Sequence, residues 1–316
     1  MPDVRIDESA SPAAHRAGMV AALAAGRVDN RFHYVGERSA TMWRDLASAH
    51  SPAQAEDGLV AHDVAARTAM ALLPDGPVHV IGVACGDGVK ERRLLGALVS
   101  AGRTEVHATA VDVSVPLVGA AAEAMAAVPG VTDVDALAVD IVARRDLSPL
   151  LGPRRPGTRL VTLFGMMSTL GPVALAPTLS LLQPGDVVMV SANLLPRRPG
   201  AREEVMAQYD TAPTREWLAA VLDDIGLAGA GDVTMRWREE AGSLAIIGEV
   251  TPTEDMTAHV EDTVVVMPAG RPIRLLESFR HDPAGLEHLL REAGLDDIAT
   301  HASPDGEEGV AAATAR

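Results

Sequence analysis

Three observations predict an α/β fold, a doubly wound and largely parallel sheet carrying a second, inserted α+β unit. Short apolar runs alternate with helix-patterned stretches between residues 78 and 191. After Pro196 the rhythm changes to longer runs in which apolar and polar residues alternate. A last apolar run, GVAAATA, closes the chain and can return to the first sheet. Strands covered on both faces read as continuous apolar runs, whereas half-buried antiparallel strands alternate.

The elements follow in order. Residues 1–15 are polar and contain proline, and are expected as a loose arm. Residues 16–50 hold helical patches around a turn at Asp29-Asn30. HDVAARTAMALL, 62–73, has helical spacing and is stopped by Pro74-Asp75-Gly76-Pro77. Strands are expected at Val78–Val83, Val106–Val111, Val134–Val139, Arg159–Phe164 and Val187–Ser191. Helices are expected at Lys90–Ser100, Val115–Ala127 and near Ala174–Leu182. Beyond Pro196, Glu203–Tyr209 and Thr214–Ile225 have helical spacing. DVTMRWREE, SLAIIGEVTP, AHVEDTVVVM and RPIRLLESFR then read as an antiparallel meander. PAGLEHLLREAG, 283–294, is a helix with proline near its start and glycine near its end.

Composition narrows the function. The chain is 47% apolar but only 3% aromatic, so its core is built from Ala, Val and Leu. The formal net charge is −16 and no basic stripe interleaves with aromatics, which argues against a nucleic-acid partner. Cys85 is the single cysteine, so no internal disulfide forms and a reducing compartment fits. No stretch reaches the roughly 18 uninterrupted apolar residues of a membrane span. The expectation is a cytoplasmic protein with no membrane partner, a monomer or weak homodimer acting on a small-molecule substrate.

The chemistry gathers where the strands end. In a doubly wound sheet, ligands sit beyond the carboxyl ends of the strands. After the first strand, Ala84, Gly86 and Gly88 let backbone approach a ligand closely. Their spacing is neither G-x-G-x-x-G nor a P-loop. The second strand ends at Asp112, placed to bind ribose hydroxyls, while Ser114 is the better placed helix cap. The third ends at Asp140 and Ile141, which suit an exocyclic amine and a flat ring. Singly, each also fits a plain strand-to-helix turn or a cap. In sequence, the small–acid–acid series suits a nucleoside.

These residues resemble the class I S-adenosylmethionine-dependent methyltransferases, a Rossmann-like fold. More narrowly, the chain is similar to the L-histidine Nα-methyltransferases of ergothioneine biosynthesis from about residue 30 onward. GVACGDGVKERRLL is similar to that family's Gly-Ser-Gly-Ser/Thr-x-x-Lys segment, with Ala84 and Gly86 at its glycines and Lys90 at its lysine. VDVS gives Asp112 the ribose role, and VDI gives Asp140 and Ile141 the adenine role. The resemblance therefore implies S-adenosyl-L-methionine as cofactor, held by Ala84, Gly86, Lys90, Asp112, Asp140 and Ile141. On the substrate side it implies Tyr34, Met167, Leu170, Tyr209 of AQYD, and Glu277 and Ser278 of ESFRH. It implies domains at 1–60 (helical, contributing to the substrate domain), 61–196 (cofactor binding), 197–282 (inserted substrate domain) and 283–316 (return to the first sheet).

The departures fall on the substrate side. Leu170 stands where the family has an asparagine for the substrate amine, and the Glu-x-Ser pair is compressed to Glu277-Ser278. Leucine offers no hydrogen bond, and a buried polar group left unpaired costs about 1–3 kcal/mol. Free histidine is therefore expected to be a poor substrate. The expected activity is methyl transfer to an amine of an amino-acid-like metabolite, with no residue singled out as the chemical catalyst. Two alternatives stay open: another reaction of the same cofactor in secondary metabolism, such as intramolecular displacement, and a degenerate binding or scaffold homologue.

The remaining candidates have bland readings. Cys85 fits a packing residue better than a nucleophile. His33, His62, His79 and His281 are scattered, so no metal site is expected, and His281 reads as a surface residue near the pocket. Trp43, Trp217 and Trp237 read as core. Met166-Met167 reads as pocket lining, and Asp223-Asp224 and Glu239-Glu240 as solvated faces.

Overall fold

The structure is a computed structural model and describes residues 3–50, 56–144, 146–151, 155, 157–240 and 243–316. Strand β1 (Val4–Ile6) is followed by α1 (Pro12–Ala24), a 3-10 turn at Asn30–His33, α2 (Glu37–His50) and α3 (Glu56–Leu72). The alternation then runs β2 (Val78–Val83), α4 (Val89–Ser100), β3 (Val106–Asp112), α5 (Val115–Ala126), β4 (Val131–Ala138), β5 (Thr158–Leu163), α6 (Met166–Leu179) and β6 (Val187–Asn193). Next come α7 (Ala201–Tyr209), α8 (Ala212–Asp224), β7 (Thr234–Glu240), β8 (Ser243–Val250), β9 (Met256–Val260), β10 (Thr263–Met267) and β11 (Ile273–Arg280). Helix α9 (Pro283–Glu292), β12 (Leu295–Ala302) and β13 (Glu308–Ala315) complete the chain.

An eight-stranded sheet in the order β1-β4-β3-β2-β5-β6-β13-β12 organises the described residues. β1 to β6 pair in parallel within it, and β13 runs antiparallel to both β6 and β12. Side chains alternate between its two faces. Val78 and Val80 of β2 pack with α3, α4 and α5, while Ile81 and Val83 pack with α6 and α9. The same division recurs in β6 and β13, where Met189 and Ala312 face one layer and Val188 and Ala311 the other. This two-sided burial is the cause of the unbroken apolar runs.

A third cluster joins α1, the 3-10 turn and α8 to the antiparallel strands, through Leu23, Phe32, Trp217, Leu218, Ile273 and Leu275 among others. Its sheet has the order β11-β8-β7, and among the described residues β9 and β10 pair only with each other. β11 runs on beside the end of β6: His281 donates its backbone N–H to the Asn193 carbonyl at 3.0 Å, and Leu195 donates to the His281 carbonyl at 3.0 Å. That junction brings the antiparallel unit over the carboxyl ends of the parallel strands.

Several expectations are corrected. The N-terminal arm is an ordered edge strand, because Val4–Ile6 pairs in register with Ala136–Ala138 of β4. AHVEDTVVVM is a hairpin and not one strand, turning at Glu261 with φ +49°. The meander is therefore a three-stranded sheet with a separate ribbon. The helix expected near Ala174–Leu182 starts at Met166 and is broken at Gly171, which is at φ +65°. LDDIATHA forms β12, whose edge position and half-exposed residues gave no clear alternation.

Candidate functional site

The turn after β2 has three successive left-handed positions, Ala84 at φ +52°, Gly86 at +56° and Gly88 at +72°. Glycine adopts them freely, whereas alanine carries a strain of about 1–2 kcal/mol. Glycine is required at position 88, because a Cβ there would stand 2.8 Å from the Ala121 backbone of α5. The Gly86 N–H donates to Asp112 Oδ2 at 2.9 Å, and the Ser114 N–H donates to Asp112 Oδ1 at 2.9 Å. Ser114 Oγ caps α5 by accepting from the Leu117 N–H. Asp112 is thus relieved of capping yet is not without partners, since it ties the second strand tip to the glycine turn. Burial pushes its carboxyl up to about 6, against the hydrogen bonds from Ser114 and Gly86 that favour the charge.

Asp140 follows β4. Its Oδ1 accepts from the Val142 and Ala143 N–H groups, and its Oδ2 is ion-paired with Arg31 from the 3-10 turn. Lys90 opens α4 with its ammonium 5.8 Å from the Phe164 ring centroid. The Cys85 thiol lies buried beneath the turn and is pushed well up by burial, with Glu91 and Asp112 adding to the effect. It stays a neutral packing group there, because a nucleophilic cysteine needs its thiolate.

Opposite these strand tips stands a wall of different chemistry. Tyr34 packs edge-on against Trp43 at 5.7 Å and tilted against Trp217 at 5.5 Å. Burial, then Asp112 and Tyr209, raise the Tyr34 phenol above its ordinary value, so it remains protonated. The Trp43 ring closes over the glycine turn, so that a Cβ on Gly86 would stand 2.6 Å from it. The Tyr209 hydroxyl bonds with Ser278 Oγ at 3.0 Å and accepts from Asn193 Nδ2 at 3.2 Å. Glu277 is ion-paired with Arg238 and, at 3.2 Å, with Arg274.

Together these walls enclose a cavity of about 330 Å³. Ala84, Gly86, Lys90, Asp112, Asp140 and Ile141 line it from the sheet side. Tyr34, Leu170, Tyr209, Glu277 and Ser278 also line it. Met167 does not: its side chain is buried in the core below α6, and Met166 takes the lining position. His281 is half-buried with Nε2 3.3 Å from the Met167 carbonyl, away from the cavity wall. Trp217 is core as expected, a buried member of the third cluster, and also lines the cavity; half-buried Trp43 lines it as well, and Trp237 lies under the Arg202 guanidinium.

Sequence reasoning missed Asn193, Asn30 and Arg31. Asn193 ends a parallel strand, a position where a polar residue is itself a signal. Asn30 exchanges two hydrogen bonds with the Glu277 backbone across 247 residues, and Arg31 reaches Asp140. No local pattern announces either contact. Among the described residues, no group of His, Cys, Asp and Glu is arranged to hold a metal ion. None of their helices is long and apolar enough to cross a membrane.

With edge strand β1 set aside, the sheet order β4-β3-β2-β5-β6-β13-β12, with β13 reversed, is that of a class I methyltransferase-type, Rossmann-like α/β fold. No family model matches the sequence, and no curated protein matches it. Solved structures similar to the chain include three of note. One is the amino pentose methyltransferase CalS10 of Micromonospora echinaspora, at 15% identity over 82% of this chain and 92% of that one, with a TM-score of 0.37. Another is a "possible exported protein" of Bordetella parapertussis, at 14% identity over 96% and 97%, with a TM-score of 0.49. The third is human N-acetylserotonin methyltransferase, at 13% identity over 96% and 67%, with a TM-score of 0.44. The fold class is carried by the strand order and not by these likenesses.

Proposed function

We propose that the chain is an S-adenosylmethionine-dependent methyltransferase acting on an amine of a small, amino-acid-like metabolite. The observation that carries this reading is Asp112, an acid at the second strand tip bonded to the glycine turn on the floor of a cavity with an aromatic roof. The residues fit the cofactor. Ala84, Gly86 and Gly88 form a turn without bulky side chains, and Asp112 uses only part of its acceptor capacity, leaving lone pairs for ribose hydroxyls. Asp140 and Ile141 would face the adenine, with Arg31 sharing the Asp140 carboxylate. When bound, the cofactor supplies a methyl group already activated on a sulfonium.

The protein's own part is placement and exclusion of water. Trp43, Tyr34 and Trp217 form an aromatic roof that packs on the acceptor and shields it from water. The four cavity carboxylates Asp87, Asp112, Asp140 and Glu277 are all engaged in hydrogen bonds or ion pairs, which argues against any of them as a dedicated base. Tyr209 and Ser278, joined through their hydroxyls and steadied by Asn193, are placed to orient the polar part of the acceptor. Leu170 supplies an apolar surface where an amide would serve free histidine, so histidine is expected to turn over poorly.

The test is mass spectrometry of the protein incubated with S-adenosylmethionine and a metabolite extract. The reading expects S-adenosylhomocysteine together with a product heavier by one or more methyl groups. Cleavage of the cofactor without a methylated product, or no consumption at all, would overturn it.

A further inference from the structure

A second cleft, of about 650 Å³, opens beside Tyr209 between residues 195–200, the first turn of α7 and the end of β11. Four arginines line it: Arg197, Arg198, Arg202 and Arg280. Three are matched by carboxylates. Arg197 pairs with Asp282 at 3.3 Å, Arg198 with Glu204, and Arg202 with Glu239 at 3.0 Å. Arg280 differs. It is 5% exposed, and its Nε, Nη1 and Nη2 are all shielded from solvent without a hydrogen-bond partner among the described residues. Its guanidinium lies over the Tyr209 ring, 5.0 Å from the centroid. A ring face attracts a cation but accepts no fork of hydrogen bonds.

A buried, unpaired guanidinium is strongly unfavourable unless an anion completes it. The cleft offers a place for one. Helix α7, nine residues long, starts there from a left-handed Gly200 that provides no side-chain cap. The first-turn amides of such a helix carry partial positive charge and suit an oxyanion. Two carboxylates also line the cleft. Asp282 is engaged by Arg197 and by the Ala284 and Gly285 N–H groups, and Glu203 lies exposed on α7. We propose that this cleft binds a phosphate- or sulfate-sized oxyanion, with Arg280 as its principal cation. The site is separate from the methyl-transfer reading and stands or falls without it.

The test is calorimetric titration of the full chain, in chloride buffer, with inorganic phosphate and separately with phenyl phosphate. The parent should bind saturably at one site. Arg280→Met should weaken binding by about tenfold to a hundredfold, the loss expected for hydrogen bonds to a charged group. A second variant guards against a folding failure. Leu244 pairs with Arg280 across the β8–β11 register and lines the same cleft. Leu244→Glu would place a carboxylate beside the guanidinium, abolishing phosphate binding while leaving thermal stability equal to or above that of the parent. Tighter binding of the ester assigns the anion to a larger ligand; equal binding assigns it to free phosphate. No saturable binding by the parent, or unchanged affinity in either variant, would overturn the proposal.

Discussion

The sheet-side wall of the main cavity is drawn from three consecutive strand tips between residues 84 and 141. The facing wall collects Tyr34 and Trp43 from the segment between β1 and β2, Tyr209 and Trp217 from α7 and α8, and Ser278 from β11. The first uses small residues and backbone hydrogen bonds; the second uses aromatic contact and long-range ion pairs. Of the chain's three tryptophans and two tyrosines, Trp43, Trp217, Tyr34 and Tyr209 are spent on this one wall. Under the proposed function, a cofactor shared by many proteins of this fold is met by local turns, and an acceptor peculiar to one protein by surfaces brought from far apart. The difference predicts that the walls fail separately.

The largest effect should come from the aromatic wall. Trp217 is 5% exposed and donates its indole N–H to the His33 carbonyl at 3.0 Å. Trp217→Ala should destabilise the fold by about 3–5 kcal/mol in denaturant titration, as large-to-small changes in a core do. A loss below about 1 kcal/mol would mean that this wall is only surface lining.

Next is Asp112→Ala, which acts on the opposite wall. Binding of S-adenosylhomocysteine should weaken by about 1.5–3 kcal/mol in calorimetry. The Asp112 carboxyl is raised to about 6, so it gains a proton, and loses acceptor capacity, as pH falls through that value. Cofactor affinity in the parent should therefore drop below pH 6, and Asp112→Asn should remove that dependence. A pH-independent affinity would detach Asp112 from the ribose role.

Glu91 sharpens the same wall from beneath. It is 1% exposed, accepts from the Thr162 hydroxyl at 2.9 Å, and is raised by burial to about 7 from an ordinary 4.5. The folded chain then keeps a proton that the unfolded chain releases. The contribution of Glu91 to stability is consequently greatest at low pH and declines as pH rises from 4.5 towards 7. Glu91→Gln should flatten that decline, and the variant should exceed the parent at pH 8 by of order 1–3 kcal/mol. Equal pH profiles in thermal unfolding would show that Glu91 stays charged in the fold.

The smallest effect is Tyr209→Phe. It removes the hydroxyl shared with Ser278 and Asn193 but keeps the ring that carries Arg280. Turnover of the acceptor should fall by the equivalent of about 0.5–1.5 kcal/mol in kcat/KM, with cofactor affinity unchanged. A stability loss with intact kinetics would make Tyr209 a structural post between the two sheets.

The alternation of strands and helices was legible because a parallel sheet buried on both faces writes itself as apolar runs such as VHVIGV. Strand tips follow directly from strand positions, which is why Ala84, Gly86, Asp112 and Asp140 are legible in the amino-acid order. β1 and β12 were harder. A three-residue edge strand has too few residues to show a period, and β12 is interrupted by a register shift between Asp296 and Ala299. The Met166–Met167 pair shows the limit at single-residue scale. Adjacent residues on a helix point in different directions, and only packing against the sheet decided that Met166 faces the cavity and Met167 the core.

What the amino-acid order determined by itself was local: which segments are strands, where each ends, and which small or acidic residue stands at its tip. Hydrophobic period and turn chemistry act within a few residues, so they can be read there. What only the tertiary structure decided was partnership. It set Arg31 on Asp140, Asn30 on the Glu277 backbone, Trp43 over Gly86, and Arg280 in a cleft without a counter-ion among the described residues. Such contacts join residues tens to hundreds of positions apart, and they arise because the antiparallel unit has to bury its apolar face against the N-terminal helices above the parallel strands.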